Sequence, residues 1–131
     1  MTATDAWRGY ASAPDEGAAV IALRDLPAGA TALTLKGPRG AFPVIALRAG
    51  DGLRAWVNAC PHQFLPLDHH GPNILSADGT RLMCTVHGAQ FGAEDGVGVA
   101  GPGLGCALDP FPVHVDDAGM IRVGAGVGRG A

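Results

Sequence analysis

The chain has 131 residues, a formal net charge of −3 and three cysteines. This length fits one domain that buries its own core, and the slightly acidic charge without Lys/Arg runs argues against a nucleic-acid partner. The odd number of cysteines argues against a disulfide framework, and no apolar run approaches the ~20 residues of a membrane-spanning helix, so no membrane contact is expected.

The N-terminal segment, residues 1–17, is polar and contains Pro14, which predicts a flexible tail. It has neither the basic region nor the apolar stretch of a secretory signal, so a cytoplasmic protein is expected. Trp7 and Tyr10 lie in this segment as two isolated aromatic residues. They form no recognisable binding motif.

Short apolar runs separated by turn residues follow, and they predict an all-β domain over residues 18–123. The chain contains 21 Gly and 10 Pro, which leaves few windows for an uninterrupted helix. The predicted strands are Ala18–Leu23, Ala32–Leu35, Phe42–Leu47, Leu53–Asn58, Phe111–Val115 and Met120–Val123.

The segment Ala49–Gly52 has the sequence of a tight turn and predicts a β-hairpin between the two strands that flank it. In the second arm, Leu53–Asn58, every other residue is aliphatic. This alternation is typical of a half-buried strand, with Arg54, Trp56 and Asn58 on the less buried face.

The composition of the sequence changes between residues 59 and 103. Cys, His, Pro and Gly crowd together there, and the strand-like runs become very short. We interpret this part as a loop-rich inset in the β domain. Residues 124–131 are rich in Gly and predict a flexible C-terminal tail.

Two short motifs in the inset combine a cysteine with a histidine: Cys60-Pro-His62 and Cys84-Thr-Val-His87-Gly88. Thiolate and imidazole are ligands for both zinc and iron–sulfur centres. Zinc modules usually pair Cys with Cys and His with His, whereas here each motif places Cys before His. This order favours a diiron cluster, with the two Cys on one iron and the two His on the other. A zinc-stabilised interaction module without a redox role is the alternative.

The pattern Cys-x-His, a loop, and Cys-x2-His-Gly resembles the fingerprint of the Rieske family. Glu94-Asp-Gly96 follows the second motif, and Gly101-Pro-Gly103 resembles the proline loop that covers the cluster in that family. The resemblance implies a Rieske fold, an antiparallel β base with a small loop-rich cluster-binding subdomain. It also implies one [2Fe–2S] cluster per chain, held by Cys60, His62, Cys84 and His87.

The first loop is longer than is usual in the family. The 21 residues between the two motifs include His69 and His70, which lie outside the ligand pattern and are expected to be exposed loop residues. Cys106 has no histidine at a matching distance and is expected to be a buried apolar residue. His114 lies in an alternating strand and is expected to be structural.

The resemblance is to the low-potential branch of the family. Respiratory Rieske proteins carry two further cysteines, at positions occupied here by Leu65 and Val86. They also place Ser and Tyr hydroxyl donors where this chain has Ala89 and Phe91. Hydrogen bonds to cluster sulfur stabilise the reduced form, so their loss lowers the potential.

The low-potential branch includes the ferredoxins of ring-hydroxylating oxygenases and the small subunit of nitrite reductase. The expected function is therefore one-electron transfer between redox partner proteins, from a reductase to a terminal oxygenase or a similar enzyme. A nitrite reductase-like small subunit is the alternative. The residues after the inset do not suffice for a second iron site, so we expect an electron-transfer component rather than an enzyme.

Overall fold

A computed structural model of the chain describes residues 3–49, 52–59, 66–69, 71, 73–85, 88–101 and 105–124. The regular secondary structure of this part of the chain is almost entirely β-strand, as predicted. Its helical segments are two 3₁₀ helices, Ala3–Gly9 and Leu23–Asp25. Neither has the length or the apolar character to cross a bilayer. The strands are β1 (Ala19–Ala22), β2 (Gly29–Gly37), β3 (Gly40–Ala49), β4 (Gly52–Val57), β5 (Arg81–Met83), β6 (Gln90–Gly92), β7 (Gly98–Ala100), β8 (Val113–Val115) and β9 (Met120–Val123).

The described strands form three antiparallel sheets with the orders β1-β9-β8, β2-β3-β4 and β5-β6-β7. In the second sheet, β3 and β4 are paired up to Ala49 and Gly52, which confirms the predicted hairpin. The two residues of its turn lie outside the described residues. The third sheet, β5-β6-β7, falls within the predicted inset, and its strands are only three residues long.

Strand β3 is buried on both faces. Phe42 and Val44 pack on one side, in a cluster that reaches Val123 of β9. Ile45 and Leu47 pack on the other side, in a cluster that also holds Leu82 and Phe91, which lie in β5 and β6. A strand covered on both faces has a nearly continuous apolar sequence, as this one does. The β2-β3-β4 sheet therefore packs on both of the other sheets.

The prediction of a half-buried β4 is wrong at two residues. Arg54 is exposed, but Trp56 is only 2% exposed and Asn58 only 4%. Trp56 belongs to the cluster that joins β3 to β5 and β6. Gly96 accommodates it, since a Cβ atom there would lie 2.5 Å from the indole Nε1. The second face of β4 is buried because the inset folds over it.

The described N-terminal residues pack on the β domain, which differs from the flexible tail expected there. Trp7 is 1% exposed and makes an edge-to-face contact with Phe111, with ring centroids 5.1 Å apart. Tyr10 makes a similar contact with Phe42 at 5.7 Å. Burial of Trp7 and partial burial of Tyr10 offset the entropy cost of ordering a polar segment. At the other end, residues 125–131 lie outside the described residues.

The contact between Tyr10 and Asp109 predicts a pH-dependent contribution to stability. The Tyr10 hydroxyl donates a 2.7 Å hydrogen bond to Asp109 Oδ2. Burial and the Asp109 carboxylate raise the pKa of Tyr10 above its ordinary value of 10.0. Because the folded protein holds this proton more tightly than the unfolded chain, the stabilisation is complete below about pH 10 and declines above it.

Tyr10→Phe should therefore lower the free energy of unfolding by about 1–3 kcal/mol near neutral pH. The difference between wild type and variant should shrink above about pH 10. Denaturant unfolding near neutral pH and again above about pH 10 measures this difference in the free energy of unfolding. Tyr10 is the only tyrosine in the chain, so tyrosinate absorbance reports its ionisation directly. An ordinary tyrosine titration in the folded protein would contradict this account.

Candidate metal centre

The second predicted ligand motif lies in the loop between β5 and β6. Met83 and Gln90 are paired as the last residues of the hairpin ladder. Beyond them, the Cys84 N–H donates to the Ala89 carbonyl at 2.8 Å, and the Gly88 N–H donates to the Cys84 carbonyl at 3.0 Å. Cys84 therefore lies where this loop closes, and both its backbone N–H and its backbone carbonyl are hydrogen-bonded.

The Cys84 side chain is a free thiol and is 2% exposed. It belongs to the same buried cluster as Leu67, Ala89 and Phe91. A soft thiolate shielded from water, with an imidazole three residues further along the chain, is a donor set that suits an iron–sulfur centre. The observed surroundings of Cys84 thus fit the implied cofactor.

The other three predicted ligands, Cys60, His62 and His87, lie outside the described residues. Among the residues that the structure does describe, no group of three or more His, Cys, Asp or Glu side chains is arranged to hold a metal ion. We call residues 60–65 the first ligand loop, and the structure describes the chain on both sides of it, up to Ala59 and again from Pro66. The assignment of the four ligands stays a prediction.

Hydrogen bonds connect the two ligand loops. The Asn58 Oδ1 atom accepts a 2.7 Å hydrogen bond from the Leu67 N–H, and the Asn58 amide donates to Asp68 Oδ1 at 2.9 Å. The Leu67 carbonyl accepts from the Thr85 N–H at 2.9 Å and from Thr85 Oγ1 at 2.6 Å. The residues that flank the first loop thus contact the second loop directly.

Sequence reasoning missed Asn58, Asp68 and Thr85. Their contacts join residues that are 9–18 positions apart, and no local pattern encodes them. The one available signal was a polar residue, Asn58, directly after an apolar strand.

The segment after β7 packs against the second ligand loop. Gly101 has a φ of +65°, and a Cβ atom there would lie 2.9 Å from the Gly88 carbonyl oxygen. Only glycine allows this close approach in this backbone conformation. The expected proline loop begins at this residue, while Pro102 and Gly103 lie outside the described residues.

The long segment between the two ligand motifs begins, after the first ligand loop, with two tight turns. The His69 N–H donates to the Pro66 carbonyl and the Gly71 N–H to the Asp68 carbonyl, both at 3.0 Å. His69 is exposed, as predicted. His70 lies outside the described residues.

The turn that leads into β5 is held by one carboxylate. Asp78 Oδ1 accepts hydrogen bonds of 2.7 Å from the hydroxyls of Ser76 and Thr80. These bonds lower the pKa of Asp78 to about 2. All three side chains are exposed or partly exposed, so this carboxylate stabilises a surface turn.

Among the described residues, Cys106 and His114 belong to no group of three or more side chains that could hold a metal ion. Cys106 is a free thiol, but it is half-buried rather than buried as expected. Its carbonyl accepts a hydrogen bond from the Gly98 N–H. His114 is structural, as predicted, because its Nδ1 donates to the Gly124 carbonyl at 2.9 Å.

Cys106→Ser should leave the visible spectrum and the iron content of the purified protein unchanged. The stability cost should be about 1 kcal/mol or less, because a half-exposed hydroxyl keeps contact with water. Absorption spectroscopy and denaturant unfolding measure the two quantities. A folded but bleached Cys106→Ser protein would show that this thiol is a ligand.

Comparison with known families supplies the class of the protein. The family model described as "Rieske [2Fe-2S] domain" matches residues 18–114. The chain therefore belongs to the Rieske [2Fe–2S] family, and the expected cofactor is the Rieske-type [2Fe–2S] cluster of that family. A search of curated proteins found no match.

Solved structures with a similar fold include several ferredoxins. The ferredoxin of carbazole 1,9a-dioxygenase from Nocardioides aromaticivorans IC177 has a TM-score of 0.65 and 24% identity, over 83% of this chain and 97% of that one. Sphingomonas yanoikuyae B1 ferredoxin has a TM-score of 0.63 and 19% identity, over 82% and 96%. A chain in the complex of reduced oxygenase and oxidized ferredoxin in carbazole 1,9a-dioxygenase has a TM-score of 0.63 and 26% identity, over 81% and 90%. These matches confirm the predicted Rieske fold.

Proposed function

We propose that the chain is a one-electron carrier that accepts electrons from a reductase and passes them to a terminal oxygenase. The observation that carries this proposal is membership of the Rieske family combined with a likeness that spans 97% of a ferredoxin chain. A ferredoxin in complex with its oxygenase is itself among the similar structures. We place the protein in the cytoplasm, as an electron-transfer component without a reaction of its own.

The predicted ligand set divides between the two irons. Cys60 and Cys84 would hold one iron, and His62 and His87 would hold the other. The burial of the Cys84 thiol and the hydrogen bonds between the two loops support this assignment. When bound, the [2Fe–2S] cluster supplies a one-electron redox couple.

The described residues around Cys84 contribute an apolar enclosure. Ala89 and Phe91 are both 0% exposed and share a cluster with Cys84. They exclude water from the thiol, and neither side chain carries a hydrogen-bond donor. Both features favour the oxidised, less negative form and keep the potential low.

The domain limits belong to the same proposal. We assign residues 18–123 to the Rieske domain, with the cluster-binding inset at about 59–103. The β5-β6-β7 sheet and the Cys84 loop lie inside these limits. The zinc-module alternative is less well supported, because the matching family is described by its [2Fe–2S] cluster. The nitrite reductase-like subunit is less well supported, because the similar structures described above are ferredoxins.

An anaerobic reductive titration of the purified protein tests the proposal. We expect a coloured protein that takes up one electron per chain and then passes it to an oxidised terminal oxygenase. A chain with zinc in place of iron would be colourless and would take up none. That result would exclude electron transfer and favour the interaction module.

A further inference from the structure

Asn58 is unusual in the described part of the chain because it is a buried polar side chain in an otherwise apolar core. It is 4% exposed and directly follows β4. Burying an amide side chain costs free energy unless its polar atoms are hydrogen-bonded. Both its oxygen and its nitrogen have partners on the far side of the first ligand loop, at Leu67 and Asp68. The Asn58 side chain therefore joins the two ends of the segment 58–67, and Cys60 and His62 lie between these ends in the sequence.

The partner of Asn58 is itself fixed in place. The Leu67 side chain is 0% exposed and packs in the same cluster as Cys84. Its N–H donates to Asn58, while its carbonyl accepts both hydrogen bonds from Thr85. The backbone of one buried residue thus joins the closed first loop to the residue that directly follows Cys84.

We propose that Asn58 and Thr85 are positioning residues that hold the two ligand loops in register through the backbone of Leu67. This inference rests on the proposed function, because it takes Cys60, His62, Cys84 and His87 as the ligands of one cluster. A cluster bound by both loops requires both pairs of donors at once. Loops that are already connected lose less conformational freedom on binding, so the cluster is held more tightly.

Thr85 offers a sharp test because its hydroxyl can be removed at nearly constant shape. Thr85→Val removes the 2.6 Å hydrogen bond to Leu67, whereas Thr85→Ser keeps the hydroxyl. Thr80→Val is the matched control, since it removes an exposed hydroxyl bond to Asp78 in the turn that leads into β5. Asn58→Leu removes the other half of the connection and serves as the second variant.

The measurement is the rate of cluster loss from the complete, cluster-loaded protein to an iron chelator, followed by visible absorption. Thr85→Val and Asn58→Leu should lose the cluster about tenfold faster or more, the scale on which removal of an outer-shell partner weakens a metal site. Thr85→Ser and Thr80→Val should behave like the wild type. The electron paramagnetic resonance g values and the midpoint potential should change in Thr85→Val and be restored in Thr85→Ser.

The outcomes separate this inference from the proposed function. A wild-type protein without a [2Fe–2S] cluster would overturn the proposed function. A different result would overturn the positioning role alone. In that result the wild type holds the cluster, and Thr85→Val matches Thr80→Val in release rate, g values and potential. In that case the hydrogen bonds would serve only to satisfy buried backbone groups.

Discussion

Alanine at any one of the predicted cluster ligands should give a colourless protein with little bound iron and a less ordered inset. These ligands are Cys60, His62, Cys84 and His87. In this assignment each would supply one bond to iron, and alanine would leave an open coordination position on a centre that forms part of the folded state. Iron and sulfide analysis should fall from about two of each per chain in the wild type to near zero.

Two other variants control for nonspecific damage. His69→Ala changes an exposed histidine in the long segment between the two ligand motifs, and Cys106→Ser changes a half-buried thiol. Both should keep the wild-type spectrum. A His62→Ala protein with a normal cluster, combined with a bleached His69→Ala protein, would show that the ligands are assigned wrongly.

Adding hydroxyl donors near Cys84 should raise the midpoint potential. The wild type should lie near the low end of the Rieske range, at about −150 mV. Ala89 and Phe91 occupy the positions where high-potential members of the family have donors, and both are fully buried beside Cys84. Ala89→Ser and Phe91→Tyr would each introduce a hydroxyl that can bond to sulfur.

The size of the shift follows from the gain in hydrogen-bond strength on reduction. A donor that bonds the reduced cluster more strongly by about 1–2 kcal/mol shifts a one-electron couple by about 40–90 mV. Both shifts should be positive, and the double variant should approach their sum if the donors act independently. Phe91→Leu changes packing without a donor and should move the potential much less. Voltammetry measures these potentials. A high wild-type midpoint, or no shift in either donor variant, would mean that another interaction sets the potential.

Local patterns predicted the central hairpin well. The turn at Ala49–Gly52 and the apolar run in β3 are both encoded by neighbouring residues. The burial of Trp56 and Asn58 was not predicted, because it depends on the inset that folds back over β4. Periodicity within one strand carries no information about a sheet that covers it from a distant part of the chain.

The N-terminal segment illustrates the same limit. Its polar composition and Pro14 indicated a flexible tail, yet Trp7 and Tyr10 pack against Phe111 and Phe42. Isolated aromatic residues in a polar segment give no periodic signal. Their partners lie more than thirty positions away in the sequence.

The ligand assignment stays a prediction from the sequence, since Cys and His at fixed spacing form a motif that local sequence contains. The contacts that join the ligand loops could not be predicted in this way. The Leu67 backbone joins Asn58 to Thr85 by hydrogen bonds that span 9 and 18 positions. Such connections appear only when the fold brings both loops together.

Electron paramagnetic resonance of the reduced protein tests the central claim most directly. A cluster with two Cys and two His ligands predicts about one unpaired spin per chain and an average g value below that of an all-cysteine [2Fe–2S] centre. An average g value typical of all-cysteine ligation would contradict the ligand assignment. A protein that contains zinc and remains silent after reduction would contradict electron transfer itself.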